Sequence, residues 1–191
     1  MVKMTSIINN NIDESIATKT RLKKQIKIIE KIADVIFNTI QKDGTIFLFG
    51  NGGSAADAQH IAAELVGKFQ KKRKGLSAMA LTTNTSILTS IGNDFGYDFV
   101  FERQVESLVK STDVVIGIST SGNSENVLRG IQLAKKIGAE TISLTGSKSN
   151  KLEKISNITL KVPSNSTQRI QEAHILIGHI ICEIVENRLE K

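Results

Sequence analysis

From Gly44 onward the chain alternates short β-type runs with helical stretches, and no other feature narrows its folds as much. The runs stand at 45–50 (TIFLFG), 77–81 (SAMAL), 113–119 (DVVIGIS), 141–146 (TISLTG) and 158–162 (ITLKV), with helical stretches notably at 54–68 and 124–137. The first and third runs are nearly unbroken apolar, as expected of strands buried on both faces of a parallel sheet. Such alternation predicts an α/β fold: a doubly wound, five-stranded parallel sheet flanked by helices.

Long helices are expected at both ends. Residues 12–42 contain no Gly or Pro, and Leu22, Ile26, Ile29, Ala33, Ile36 and Ile40 recur at helical spacing. Ile28, Ile32 and Val35 widen that stripe beyond the needs of one face, which hints at oligomerisation. The last stretch, 167–189, is apolar around most of its circumference, so its surroundings should be largely protein. With 191 residues, 40% of them hydrophobic, the chain can bury one full-sized core. The expected organisation is a single domain over 1–191: a helical extension over 1–43, an α/β core over 44–165 and a terminal helix over 167–189.

Composition excludes several classes. The lone cysteine, Cys182, rules out an intramolecular disulfide, fits a reducing compartment and reads as a buried core thiol. No run of about 18 apolar residues is present, so no membrane span is expected. The first residues lack the apolar stretch of a signal peptide, and the expected location is the cytoplasm. A formal charge of +6 and the run KKRK (Lys71–Lys74) invite a nucleic-acid reading. Only one tyrosine is available for base stacking and no nucleic-acid motif accompanies the run. It reads instead as a solvated loop favouring small anions, with no nucleic-acid partner.

Ligands of open α/β sheets collect at the C-terminal ends of strands. Two strand-to-helix turns here suit that position. In GNGGS (50–54), glycines let a ligand approach the backbone closely, and Asn51 and Ser54 add polar contacts. In STSGNS (119–124), hydroxyls join the free amides of a helix N-terminus in a neutral cradle that suits a phosphate. Neither matches a nucleotide-binding motif, so the expected ligand is a small phosphorylated molecule.

His60 and Glu64 stand four apart on the helix leaving the first turn, on one face. They read either as a surface pair or as acid–base groups, and a carboxylate beside a sugar-phosphate cradle is a natural base for a proton next to a carbonyl. The last helix adds Gln171, Glu172, His174 and His179, with Gly178 permitting close approach beside His179. His60, Glu64, Gln171 and His179 also compose a candidate set for a divalent metal such as zinc. Eight residues, about 12 Å of ideal helix, separate Gln171 from His179. One ion would need long side-chain reach, a distorted helix or ligands from two subunits.

Four stretches taken together, GNGGSAADAQHIAAEL, IGNDFGYDFVFERQVESL, GISTSGNSENVL and RIQEAHILIGHIICEIVE, resemble the sugar isomerase (SIS) domain and, within it, the phosphoheptose isomerases. The resemblance runs from about residue 10 to the C-terminus. It implies a flavodoxin-like sheet and interconversion of sedoheptulose 7-phosphate with glycero-manno-heptose 7-phosphate, the entry to heptose for lipopolysaccharide core and other surface glycans. It further implies substrate contacts at Asn51, Gly52, Gly53, Asn93, Asp94 and Gln171, a phosphate grip at Ser119, Thr120, Ser121 and Ser124, and an acid–base pair of Glu64 and His179. Zinc on His60, Glu64, Gln171 and His179 and a homotetramer with sites at subunit interfaces are implied as well. Gln168 stands where some relatives have aspartate, so no acid role is available there. The rival readings are a non-catalytic SIS binding module and an isomerase of another sugar phosphate.

Overall fold

In the computed structural model, residues 3–189 are described. The elements are α1 (Met4–Leu22), α2 (Ile26–Gln41), β1 (Ile46–Gly50), α3 (Gly53–Val66), β2 (Ala78–Ala80), α4 (Thr85–Asp94), α5 (Glu102–Leu108), β3 (Val114–Ile118), α6 (Glu125–Ile137), β4 (Glu140–Thr145), α7 (Lys151–Ile155), β5 (Ile158–Lys161) and α8 (Thr167–Arg188). The strands form one sheet in the order β2-β1-β3-β4-β5, and every pairing is parallel. The chain runs outward from β1 to β2 and then crosses back to β3. The strand order therefore reverses between β1 and β3, the position at which open α/β sheets present a ligand crevice.

Alternating side chains on β1 build two cores, because successive residues of a strand face opposite ways. Ile46 and Leu48 pack with Ile32 and Ile36 of α2, Ile61 and Leu65 of α3, and Ile177 and Ile181 of α8. Phe47 and Phe49 enter the opposite layer with Phe101, Val105, Val127 and Ile131. There the rings of Phe49 and Phe101 stack at 4.8 Å.

The uninterrupted helix expected over 12–42 is instead two helices joined by a 3-10 turn at Lys23–Gln25. The tighter turn shifts the helical phase. Leu22 is buried, whereas Ile26, on the same predicted stripe, is 51% exposed. The solvated reading of the KKRK run also needs correction, since Arg73 turns inward onto the buried Glu186. The expected core thiol is observed: Cys182 is buried, and burial pushes it up to about 12.

Candidate active site

β1 delivers Asn51 to the crevice beside the β3–α6 loop. The Asn51 and Asn126 carboxamides exchange two hydrogen bonds of 2.9 Å, and the Tyr97 hydroxyl donates to Asn51 Oδ1 at 3.2 Å. Asn93 and Asp94, the last residues of α4, precede Tyr97 by three to four positions. Asn93 donates to the Asp94 carboxylate at 2.7 Å, and both are exposed.

The serine loop is organised around Ser119. Its hydroxyl lies 3.0 Å from that of Ser124 and 3.4 Å from that of Ser121, and it accepts from the Gly122 amide at 3.2 Å. Gly122 has φ +66°, and a side chain there would also strike the buried Asn150. Ser124 occupies the N-cap of α6 without making a side-chain cap bond, since its hydroxyl points to Ser119. A pocket of about 360 Å³ opens beside this loop, lined among others by Thr120, Ser121, Asn123, Lys148, Asn165 and Thr167. Its hydroxyls, amides and one ammonium suit an anion.

The second cluster lies where α3 and α8 run side by side. Gln171 rests over Gly53 at the head of the pair, and Gly178 takes Ile61 where a Cβ would come within 2.6 Å of it. That approach brings His179 Nε2 to 3.3 Å from His60 Nε2, which itself lies 3.2 Å from Glu64 Oε1. All three ligand-capable atoms fall within 4.8 Å of one another. The His60 side chain is 48% exposed and that of Glu64 23%, so the cluster opens at the surface of the chain.

The predicted residues thus gather as two groups. Asn51, Gly52, Gly53, Gln171 and the serine loop surround the strand ends. His60, Glu64 and His179 begin seven residues further along α3, a rise of about 10 Å.

Sequence reasoning missed Asp57 and Asn126. Asp57, one turn before His60, has a buried Oδ2 with no hydrogen-bond partner. Burial raises its carboxyl to about 6, against the opposing charge of His60. The spacing of D57 and H60 in SAADAQH signals a shared helix face. Asn126 carries no such signal, because it stands in the first turn of α6 and its partner Asn51 lies on the distant turn after β1.

A parallel sheet whose order reverses between β1 and β3, a hydroxyl-lined pocket beside the serine loop and a histidine–carboxylate cluster define an α/β protein equipped to bind an anion and to move protons. The SIS domain pattern matches residues 11–146. The chain is 59% identical over 160 residues to a phosphoheptose isomerase of Aquifex aeolicus, covering 82% of this chain and 84% of that one. Two solved structures are also similar. The phosphoheptose isomerase of Neisseria gonorrhoeae has a TM-score of 0.92 and 40% identity, covering 97% of this chain and 100% of that one. That of Francisella tularensis has a TM-score of 0.94 and 32% identity with the same coverage. The chain belongs to the SIS domain family and, within it, to the phosphoheptose isomerases.

Proposed function

We propose that this chain is an aldose–ketose isomerase that interconverts D-sedoheptulose 7-phosphate and D-glycero-D-manno-heptose 7-phosphate. The observation that carries the chemistry is the convergence of Glu64 and His179 on His60 where α3 and α8 meet. The Ser119–Ser124 loop grips the phosphate, with Asn51, Gly52, Gly53, Asn93, Asp94 and Gln171 lining the sugar. Fixing the anionic end lets binding energy position the carbonyl end. Glu64 and His179 then move protons between the two carbons and their oxygens through an enediol, with no net change in oxidation state.

Zinc suits the donor set. Tetrahedral ligands at zinc distances stand roughly 3.4 Å apart; His60 Nε2 lies 3.2 Å from Glu64 Oε1 and 3.3 Å from His179 Nε2, and the three atoms together fall within 4.8 Å. His60, Glu64 and His179 would hold the ion, which supplies Lewis acidity towards a carbonyl oxygen. α8 is an unbroken helix over Thr167–Arg188, which removes helix distortion as a route for Gln171 to the same ion. The Gln171 amide packs against Gly53, about two turns of α3 before His60. Of the two remaining routes, long side-chain reach and a ligand from a second copy of the chain, this placement favours the second.

A second copy also accounts for the separation of the two groups of site residues, if the serine loop of one subunit faces the α3–α8 cluster of another. Exposed apolar residues on α1 support a homotetramer assembled in this way. No helix among the described residues is long and apolar enough to cross a membrane. A lone cysteine suits a reducing compartment, in keeping with a cytoplasmic enzyme supplying heptose for surface glycans such as lipopolysaccharide core.

The test is incubation with sedoheptulose 7-phosphate, with and without a chelator. Aldose product is expected, its formation falling on chelation and returning with zinc. Glu64→Gln should lower turnover by about 10²–10⁴-fold while substrate affinity stays within a few-fold. Near-normal turnover in that variant removes Glu64 from the chemistry, and an unresponsive chelation arm removes the metal.

A further inference from the structure

Glu186 is 2% exposed and lies seven residues beyond His179, two turns down the same face of α8. Its carboxylate takes hydrogen bonds from three successive amides: Phe69 at 3.1 Å, Gln70 at 2.7 Å and Lys71 at 2.8 Å. Arg73 Nε adds a fourth bond at 2.8 Å. The same guanidinium reaches the end of α3, donating to the carbonyls of Glu64 and Leu65, both at 2.9 Å. One buried ion pair therefore ties α3, the loop after it and α8 together. At the near end of that loop the Phe69 ring lies 5.6 Å from the His179 ring, centroid to centroid, tilted by 32°. His60 stands edge-on to His179 at 5.0 Å. The imidazole thus meets Phe69 and His60.

We propose that Glu186, acting through Arg73 and the 69–71 amides, is a positioning residue for the isomerase site. It fixes the loop so that Phe69 holds the His179 ring towards His60 and Glu64. This rests on the assignment of His179 to proton transfer, but the arrangement of its ring is measured separately. Removing one hydrogen-bonding carboxylate oxygen from Glu186 loosens the loop and frees Phe69, and His179 then samples rotamers that point away from the cluster. The substrate's phosphate grip lies elsewhere, so turnover suffers and affinity does not.

The chain has three histidines, which makes ring-labelled histidine NMR a direct readout. The buried His174 on α8 reports that the fold is intact, and His179 reports its own surroundings. In Glu186→Gln the His174 signal is expected in place while the His179 signal moves or broadens, with kcat about tenfold lower and KM within about twofold. Phe69→Leu, which leaves the ion pair untouched, should lower kcat by a similar factor. A folded Glu186→Gln variant with the wild-type His179 signal and kcat overturns the proposal. Should Glu186→Gln fail to fold, an unchanged kcat in Phe69→Leu overturns it alone. Full activity in His179→Gln would instead remove the proton-transfer assignment, leaving the NMR result to stand for the geometry.

Discussion

His174 and His179 lie five residues apart on α8 and meet different environments. His174 is fully buried, its Nε2 lies 3.4 Å from the Thr145 carbonyl, and its Nδ1 has no partner. Burial lowers it from 6.5 to about 4, opposed by the bond to Thr145. Folding therefore favours the neutral ring. The unfolded chain takes up a proton below pH 6.5 that the native chain refuses, so stability present above that pH drains away as pH falls towards 4. The loss is on the order of 3 kcal/mol. Asp57 works the other way, since its carboxyl rises from 3.8 to about 6. Its contribution to stability is lost as pH rises through that range. Denaturant melts of wild type and His174→Gln between pH 7 and 4 should separate the two, the variant losing less stability on acidification. Identical pH dependence would show that His174 is not the group responsible. In sequence, both histidines stand among isoleucines; Gly178 beside His179 was the visible difference.

The pairing of α3 with α8 is where elements decide the site. Ile61 fills the space above Gly178, and any added atoms there must push the helices apart. Gly178→Val should destabilise the fold by about 1–3 kcal/mol through overpacking and, if the proposed zinc is bound, weaken its affinity as His179 withdraws from His60. Unchanged denaturation midpoint and metal affinity would show that the helix pair has slack. All five strands and the helices α3, α6 and α8 were legible in the sequence: β1 and β3 as unbroken apolar runs buried throughout, the helices as stretches between or beyond the strands. The sequence gives no bounds for the helices between 85 and 108. α5 is short and owes its place to packing, with the stacked Phe49–Phe101 pair at its N-cap. The break at Lys23–Gln25 also escaped, since it contains neither Gly nor Pro.

At the scale of the molecule, α1 is held on one side and open on the other. Arg169 donates to the Asn11 carbonyl at 2.5 Å, and Ser15 donates to Glu172 at 2.7 Å, fastening α1 to α8. Ile8, Ile12 and Ile16, a stripe at four-residue spacing, remain 56%, 53% and 58% exposed. An apolar stripe of this kind fits the subunit contact proposed above. Replacing all three with serine should lower the particle mass in light scattering and reduce isomerase activity, with helix content retained. A triple variant with the mass of wild type would dismiss α1 as the contact.

Sheet architecture and the positions of the two strand-to-helix turns followed from local pattern, because burial period and turn chemistry act over a few neighbouring residues. Folding in three dimensions selected which residues meet. It joined His179 to His60 across 119 positions, paired Asn51 with Asn126, and drew Arg73 out of a basic run onto Glu186. Such contacts depend on how helices cross and how closely they approach, and that distance is set by packing between segments far apart in the chain.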